Sequence, residues 1–466
     1  MISVSTFNPY PLSPSLLPYP YPYLHTLREN NTMENFDQVE RRVDSSDKHN
    51  FDQDGTYSFH AEADIDIRYS AVKNNPCVGL TFFKMIALFW RKRNSIDWLL
   101  YPHRIICLLL MSVFNSFLSL LELLYISIIL QANGVSKLAT NDMEAPVFIL
   151  GVPRSGTTLL HSLLSLDTER FFVCSTFCAG FPSCFLFFEK LGKRLFSGVL
   201  SETRPMDNME LHFDLPQEDE LATCLLTGFQ CSPYLSLYFP RDEKEFREYQ
   251  TFRNSGKREI NTWTSAFKVL IKKLKMREVI SMIEKGLNPN IFHRRLLLKS
   301  PCHTGRARLL TKLFPNAKFV FIHRHPMEVF LSGAHMASTT YGYCFLQRPS
   351  DKELQEYILR QGEILIGEYL SCVDDGILGD HNSCEISFEQ LTSNPETTIK
   401  KIYSSLNFDS FEEHSNSTYP IQLGNECMRL KGYKRNSFEK IKLSKQLVTE
   451  IKDRWSVQFS RFDYAK

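Results

Sequence analysis

The sequence predicts an α/β fold in three layers, with a mainly parallel central sheet flanked by helices. Two observations lead there. From residue 145 onward, short apolar runs of strand length alternate with segments of helical period. A glycine-bearing turn, Gly151-Val-Pro-Arg-Ser-Gly-Thr-Thr158, also joins the first apolar run directly to a helical pattern.

The elements follow in order. Residues 146–150 (Pro-Val-Phe-Ile-Leu) read as a buried parallel strand, and 157–166 as the helix after it. Residues 296–298 and 318–323 give two more strands, with a helix over 304–314 between them. Pro326 opens a helix to 336, at a position where its missing N–H costs nothing. Residues 385–388 form a further strand, and Asn394-Pro395 precedes a helix over 396–406.

Upstream the texture differs. Residues 1–90 are Pro/Tyr-rich and then polar, and read as a poorly ordered arm without a cleaved signal peptide. Residues 97–135 hold a hydrophobic helix whose run from 105 to 130 carries one charge, Glu122. That run exceeds the roughly 20 residues a bilayer demands. Arg91, Lys92, Arg93 and Arg104 precede it, which would leave the N-terminus cytosolic and the main domain in the lumen of the Golgi or endoplasmic reticulum. Ser112, Asn115, Ser116, Ser119, Glu122 and Ser127 form a polar stripe, however, so the helix reads equally as lying on a membrane or docked on the catalytic domain, which would then be cytoplasmic. The rest, 145–466, is one catalytic domain.

Composition narrows the function. A formal charge of +2 gives no basic excess for nucleic acid, so anions must be held by local arrangements of charge. Twelve cysteines are too sparse for a disulfide scaffold, and Cys174, Cys178 and Cys184 lack the spacing of a zinc site; they read as buried thiols, and no metal is expected. Residues 171–188 and 229–239 are aromatic enough to line an acceptor cleft or fill a core.

The loop at 151–158 has the G-x-x-x-x-G spacing that turns backbone N–H groups toward an anion at a helix N-terminus. Triphosphatases then place Lys where this chain has Thr157. The basic residue sits inside the loop instead, at Arg154. A metal–triphosphate would lose its main charge partner, whereas a 5′-phosphosulfate can be held by amides, hydroxyls and one arginine.

At this point the sequence resembles the P-loop-like sulfotransferase superfamily, in its branch with Arg in the 5′-phosphosulfate loop. The resemblance lies in that loop and in Lys318-Phe-Val-Phe-Ile-His-Arg-His-Pro-Met-Glu-Val-Phe-Leu-Ser332. Weaker matches are Arg204-Pro-Met-Asp-Asn-Met-Glu210, Leu215-Pro-Gln-Glu-Asp-Glu220 and Leu297-Leu-Lys-Ser-Pro301. It implies 3′-phosphoadenosine 5′-phosphosulfate as donor. Pro153, Arg154, Ser155, Gly156, Thr157 and Thr158 would take the 5′ end, and Arg324 and Ser332 the 3′-phosphate. Arg435, in the basic turn Arg429, Lys431, Lys434 and Arg435, would close over the donor as a C-terminal loop does in relatives.

Transfer also demands a base and positive charge on the leaving phosphate. Arg154 and Lys299 supply the charge; Glu218 and His303 compete as base. Relatives place a histidine two residues after the equivalent lysine, where this chain has Pro301. His323 and His325 read as structural. The acceptor is a small molecule, glycan or lipid bearing a hydroxyl or amine. Two alternatives are a small-molecule kinase or NTPase, which predicts Lys at 157, and an inactive membrane-tethered nucleotide-binding protein, which predicts loss of Arg154, Arg324 or Ser332.

Overall fold

The computed structural model describes Tyr57 and residues 75–464, apart from 132–133, 139–143, 199, 201–202, 205, 290–292, 409–417 and 432–442. Most of the expected arm, and Lys434 and Arg435, lie outside the described residues.

Two helices lead into the sheet domain, α1 (Phe82–Arg91) and α2 (Pro102–Tyr125), the latter continuing through a π-helical turn, Ile126–Leu130. The polar stripe of α2 faces the protein. Arg104, Ser112, Asn115 and Glu122 are buried, with Ile105, Leu108 and Leu118 beside them. Asn115 donates to the carbonyls of Val78 and Met111, and Ser116 accepts the Phe82 N–H at 2.7 Å. Glu122 accepts the Leu186 and Phe187 N–H groups at 2.7 and 3.2 Å and pairs with Lys273.

The chain then runs β1 (Val147–Leu150), α3 (Thr157–Ser165), β2 (Phe171–Val173), α4 (Thr176–Gly180), α5 (Phe185–Leu195), α6 (Asp219–Thr227) and α7 (Lys257–Glu284). It continues through β3 (Arg295–Lys299), α8 (Ala307–Leu313), β4 (Lys318–His323), α9 (Pro326–Thr339), α10 (Asp351–Asp374), β5 (Ser383–Ser387), α11 (Phe388–Ser393) and α12 (Pro395–Ser405). The strands form one parallel sheet in the order β2-β3-β1-β4-β5, with Val147 opposite Leu297 on one side and Lys318 on the other.

Alternation along the strands builds two cores. Phe148, Leu150, Leu296, Leu298, Phe319 and Phe321 face the side covered by α7 to α10. Val147, Ile149, Leu297, Val320, Ile322 and Ile386 face the side covered by α3 and α12. Both faces are buried, which explains the unbroken apolar runs and bears out the three-layer expectation.

The structure departs from the sequence reading at these points. Residues 171–173 form an edge strand, too short to announce itself. The helix expected from 304 begins as a 3₁₀ turn over Pro301–Arg306, and only then becomes α8. Phe388 opens α11 rather than closing β5, because the Ser387 hydroxyl accepts the Gln390 N–H at 3.0 Å and caps the helix. The chain reverses around β1, whose neighbours β3 and β4 come from opposite directions in the winding. A crevice therefore opens at the carboxyl ends of these strands, where α/β sheets take ligands.

Candidate active site

The loop from β1 to α3 is tightly constrained. A Cβ on Gly151 would lie 2.6 Å from Ser155 Oγ and 2.7 Å from the Ile322 carbonyl oxygen. One on Gly156, at φ +102°, would lie 2.4 Å from the Phe388 ring. Thr304 Oγ1 accepts the Gly151 N–H at 2.7 Å and donates to the Gly151 carbonyl at 3.0 Å. Ser155 is buried and spends its hydroxyl on the Val152 carbonyl at 2.8 Å. Pro153, Thr157 and Thr158 complete the turn into the first turn of α3, whose unpaired amides form the head of the cradle. A loop closed this tightly has no room for side chains at its glycines.

Arg154 joins the two motifs. It holds φ +72°, a left-handed conformation that costs a residue bearing a Cβ roughly 1–2 kcal/mol. Three contacts hold it there. Its Nε donates to Ser332 Oγ at 3.0 Å, its Nη1 meets Asp207 at 3.0 Å, and its carbonyl accepts from Arg324 Nη1 at 3.3 Å. Arg324 follows β4, pairs with Glu328 at 2.6 Å, and lies over the Phe388 ring at 4.5 Å. Residues about 170 positions apart in the chain thus meet around one cleft.

Lys299 ends β3 and is almost fully buried. Its Nζ meets Glu218 at 2.9 Å and Thr158 Oγ1 at 3.4 Å. Glu218 is the N-cap residue of α6 and also accepts from the Tyr234 hydroxyl. Burial alone would raise the Glu218 carboxyl, but Lys299 and Tyr234 outweigh it and bring the group below its ordinary value. Burial lowers Lys299, against the pull of Glu218.

The neighbouring acids do different work. Asp219 meets His303 Nε2 at 2.6 Å and accepts from Ser300 Oγ at 3.2 Å, and both Asp219 and His303 are sealed from solvent. Glu220 meets Arg306 at 2.5 and 3.1 Å. His303 therefore stands behind Glu218 rather than beside it in the cleft.

His161, on α3, escaped the sequence reading. It is buried near Lys299, and burial, then Lys299, push its pKa down to about 3, so it is neutral. Tyr234 and Asp207 were missed as well; only their position near the motifs would have marked them. His323 packs face to face with Phe462 and bonds the Tyr464 hydroxyl at 2.9 Å, and His325 meets Phe459 edge-on; both serve packing. Cys174, Cys178 and Cys184 are buried free thiols. Arg429 pairs with Glu426 and with Glu210 at 3.1 Å. Among the described residues no group of His, Cys, Asp and Glu is arranged to hold a metal ion.

Comparison with known proteins matches this arrangement to one family. Residues 146–413 match the sulfotransferase family. Proteins of Mycobacterium bovis and Mycobacterium tuberculosis, both named omega-hydroxy-beta-dihydromenaquinone-9 sulfotransferase Stf3, are 28% identical over 323 residues, covering 69% of this chain and 76% of theirs. Among solved structures, the sulfotransferase STF1 of Mycobacterium tuberculosis H37Rv has a TM-score of 0.50 at 13% identity, covering 91% of this chain and 98% of that one. The sulfotransferase STF9 of Mycobacterium avium has a TM-score of 0.51 at 15% identity, covering 83% and 97%. These two likenesses bear on the fold. The kinase alternative loses its footing twice, in the missing lysine at 157 and in the family match over residues 146–413, which include all five strands. The chain belongs to the sulfotransferase family and is a sulfotransferase enzyme.

Proposed function

We propose that the protein transfers a sulfonate group from 3′-phosphoadenosine 5′-phosphosulfate to the hydroxyl of a lipid-like acceptor. The observation that carries the donor reading is the meeting of Arg154 with Ser332 and Arg324. It sets a loop built for a 5′ anion beside an arginine and a hydroxyl suited to a second phosphate. Pro153 to Thr158 receive the 5′-phosphosulfate, with the Gly156, Thr157 and Thr158 amides at the head of α3. Arg324 and Ser332 grip the 3′-phosphate, the group absent from ordinary adenine nucleotides.

In this reading the acceptor oxygen attacks sulfur in line and the bond from sulfur to the bridging phosphate oxygen breaks. Adenosine 3′,5′-bisphosphate leaves. Glu218 takes the acceptor proton, and Lys299 and Arg154 balance the charge gained by the leaving phosphate. Glu218 is preferred to His303 because its carboxylate borders the cleft while the imidazole is sealed against Asp219. His303 acts as a positioning residue: through Asp219 it fixes the first turn of α6, and so the direction of Glu218. The lipid-like acceptor is supported by the mycobacterial relatives, whose names specify a hydroxylated menaquinone.

Thermal unfolding of the full chain with adenosine 3′,5′-bisphosphate, run beside ATP with magnesium, tests the donor. A ligand at 100 times its dissociation constant stabilises the fold by about 2.7 kcal/mol. The bisphosphate should raise the midpoint and Arg324→Ala should abolish the rise; a rise with ATP–magnesium alone would overturn the assignment. Sulfation of a long-chain alcohol but not of an oligosaccharide tests the acceptor class.

A further inference from the structure

We infer that α1, α2 and α5 together form a docking face for an anionic lipid leaflet, and that α2 lies along the bilayer surface without crossing it. By length and composition α2 is apolar enough to span. Its polar side chains, though, are tied to the body along its length: Arg104 donates to the Phe345 carbonyl near one end, Asn115 to Val78 in the middle, and Glu122 pairs with Lys273 near the other. Lys273 belongs to α7, which packs under the sheet. A spanning α2 would have to abandon these partners or bring α7 into hydrocarbon, and a lone carboxylate there is costly.

The opposite face of α2 is open. Ile106, Leu110, Val113, Phe117, Leu120 and Leu124 each leave half or more of their surface exposed. They lie roughly opposite the buried stripe at 100° per residue. α1 joins α2 on the Ser116 side and α5 joins it through Phe114–Phe188 and Tyr125–Phe187, so α2 is the middle of three adjacent helices. α1 adds Phe83 and Trp90, and α5 adds Leu191 and Leu195. The open apolar area is on the order of 1,000 Å², against roughly 300–600 Å² for the largest patch on an ordinary monomer.

The chemistry of the rim selects a lipid surface. Two of the four tryptophans of the chain, Trp90 and Trp98, are exposed here, where indoles settle at headgroup level. Arg93, which covers Trp90 at 4.8 Å, and Arg194 are exposed at the edges. The described carboxylates near this rim are paired: Asp97 with Arg241, Asp214 with Lys193 and Glu284 with Lys190. α1 has no acid, the single acid of α2 is buried, and Glu189 of α5 is held by Lys193 and Arg277. An apolar face about 36 Å long with aromatic and cationic edges suits burial some 5–10 Å into one leaflet.

This docking face goes beyond the donor and acceptor reading, and it is tested without either substrate. The full chain is mixed with vesicles of phosphatidylcholine doped with phosphatidylserine and floated on a density gradient. The wild type should float and be released by alkaline carbonate. Leu110→Glu/Phe117→Glu should cut the vesicle-bound fraction on the order of ten-fold or more, with an unchanged thermal unfolding midpoint. Should that pair disturb the fold, Phe83→Glu on α1, at a side chain 84% exposed, gives the same readout more weakly. Wild-type protein left at the bottom of the gradient overturns the inference. So does flotation that resists carbonate, which means spanning, or sedimentation as a dimer that the double variant dissociates, which means a second copy covers the face.

Discussion

Replacing Glu220 by glutamine should unfold the protein far more readily than its conservative chemistry implies. Glu220 and Arg306 are both fully buried. Both carboxylate oxygens are engaged: one meets Arg306 at 2.5 Å and Trp263 Nε1 at 3.0 Å, the other Arg306 at 3.1 Å and Ser232 Oγ at 2.9 Å. Glutamine keeps the shape but turns one of these oxygens into an N–H₂ facing donors. It also leaves the Arg306 cation without its anion, facing one neutral amide oxygen, the Tyr249 carbonyl and the rings of Trp263 and Phe252. Solvent cannot screen the loss. Removing one partner of such a pair costs about 3–5 kcal/mol, while replacing both with apolar groups of similar volume costs much less. Urea unfolding of the full chain, followed by tryptophan fluorescence, should therefore show Glu220→Gln losing 3–5 kcal/mol, roughly. Glu220→Met with Arg306→Met should recover at least half of that. A loss below about 1 kcal/mol in the single variant would refute the argument, because it would mean that water or another group stands in for the carboxylate.

Three further predictions concern the cleft. Glu218→Gln should lower kcat by roughly 10²–10⁴ while leaving the bisphosphate-induced shift in place. Since Lys299 and Tyr234 hold the Glu218 carboxyl below its ordinary value of 4.5, the base form persists under that pH and is lost only as pH falls through the depressed pKa. The acid limb of kcat/KM should thus lie below 4.5, and the alkaline limb below 10.5 because burial lowers Lys299; an acid limb near 6.5, where imidazoles titrate, would return the role to a histidine. Gly156→Ala, at φ +102° and 2.4 Å from the Phe388 ring, should destabilise by about 1–3 kcal/mol in thermal unfolding and weaken bisphosphate binding.

Much of this was legible from sequence because it is local. A strand, a glycine loop and a helix in succession fix where amides point, so residues 151–158 declared their chemistry without tertiary information. Arg324 and Ser332, eight positions apart, were marked by the family resemblance of 318–332, not by local geometry. What tertiary contact decides was not. Glu218, Asp219 and Glu220 look alike in sequence, yet they go to Lys299, His303 and Arg306 respectively, because successive residues leave a helix about 100° apart. The choice between Glu218 and His303 rests on that divergence. The stripe on α2 was visible as a pattern, but its partners, Val78, Leu186 and Lys273, lie on other elements and no local rule names them. β2 was hidden by its brevity, and His161 by standing in what reads as an ordinary amphipathic helix.

The pairing of Glu122 with Lys273 also sets a clock on the protein's own assembly. The two residues are about 150 positions apart, so at ~5–20 residues per second the carboxylate leaves the ribosome roughly 8–30 s before its counter-ion. The sheet that anchors the sulfotransferase domain closes later still, when β3 and β4 arrive to flank β1. Through that interval the Glu122 carboxylate lacks its counter-ion, and its first partners to emerge are the Leu186 and Phe187 N–H groups. The first partners of α2 as a whole during synthesis are the segments already made, Val78 and the start of α1, which meet Asn115 and Ser116.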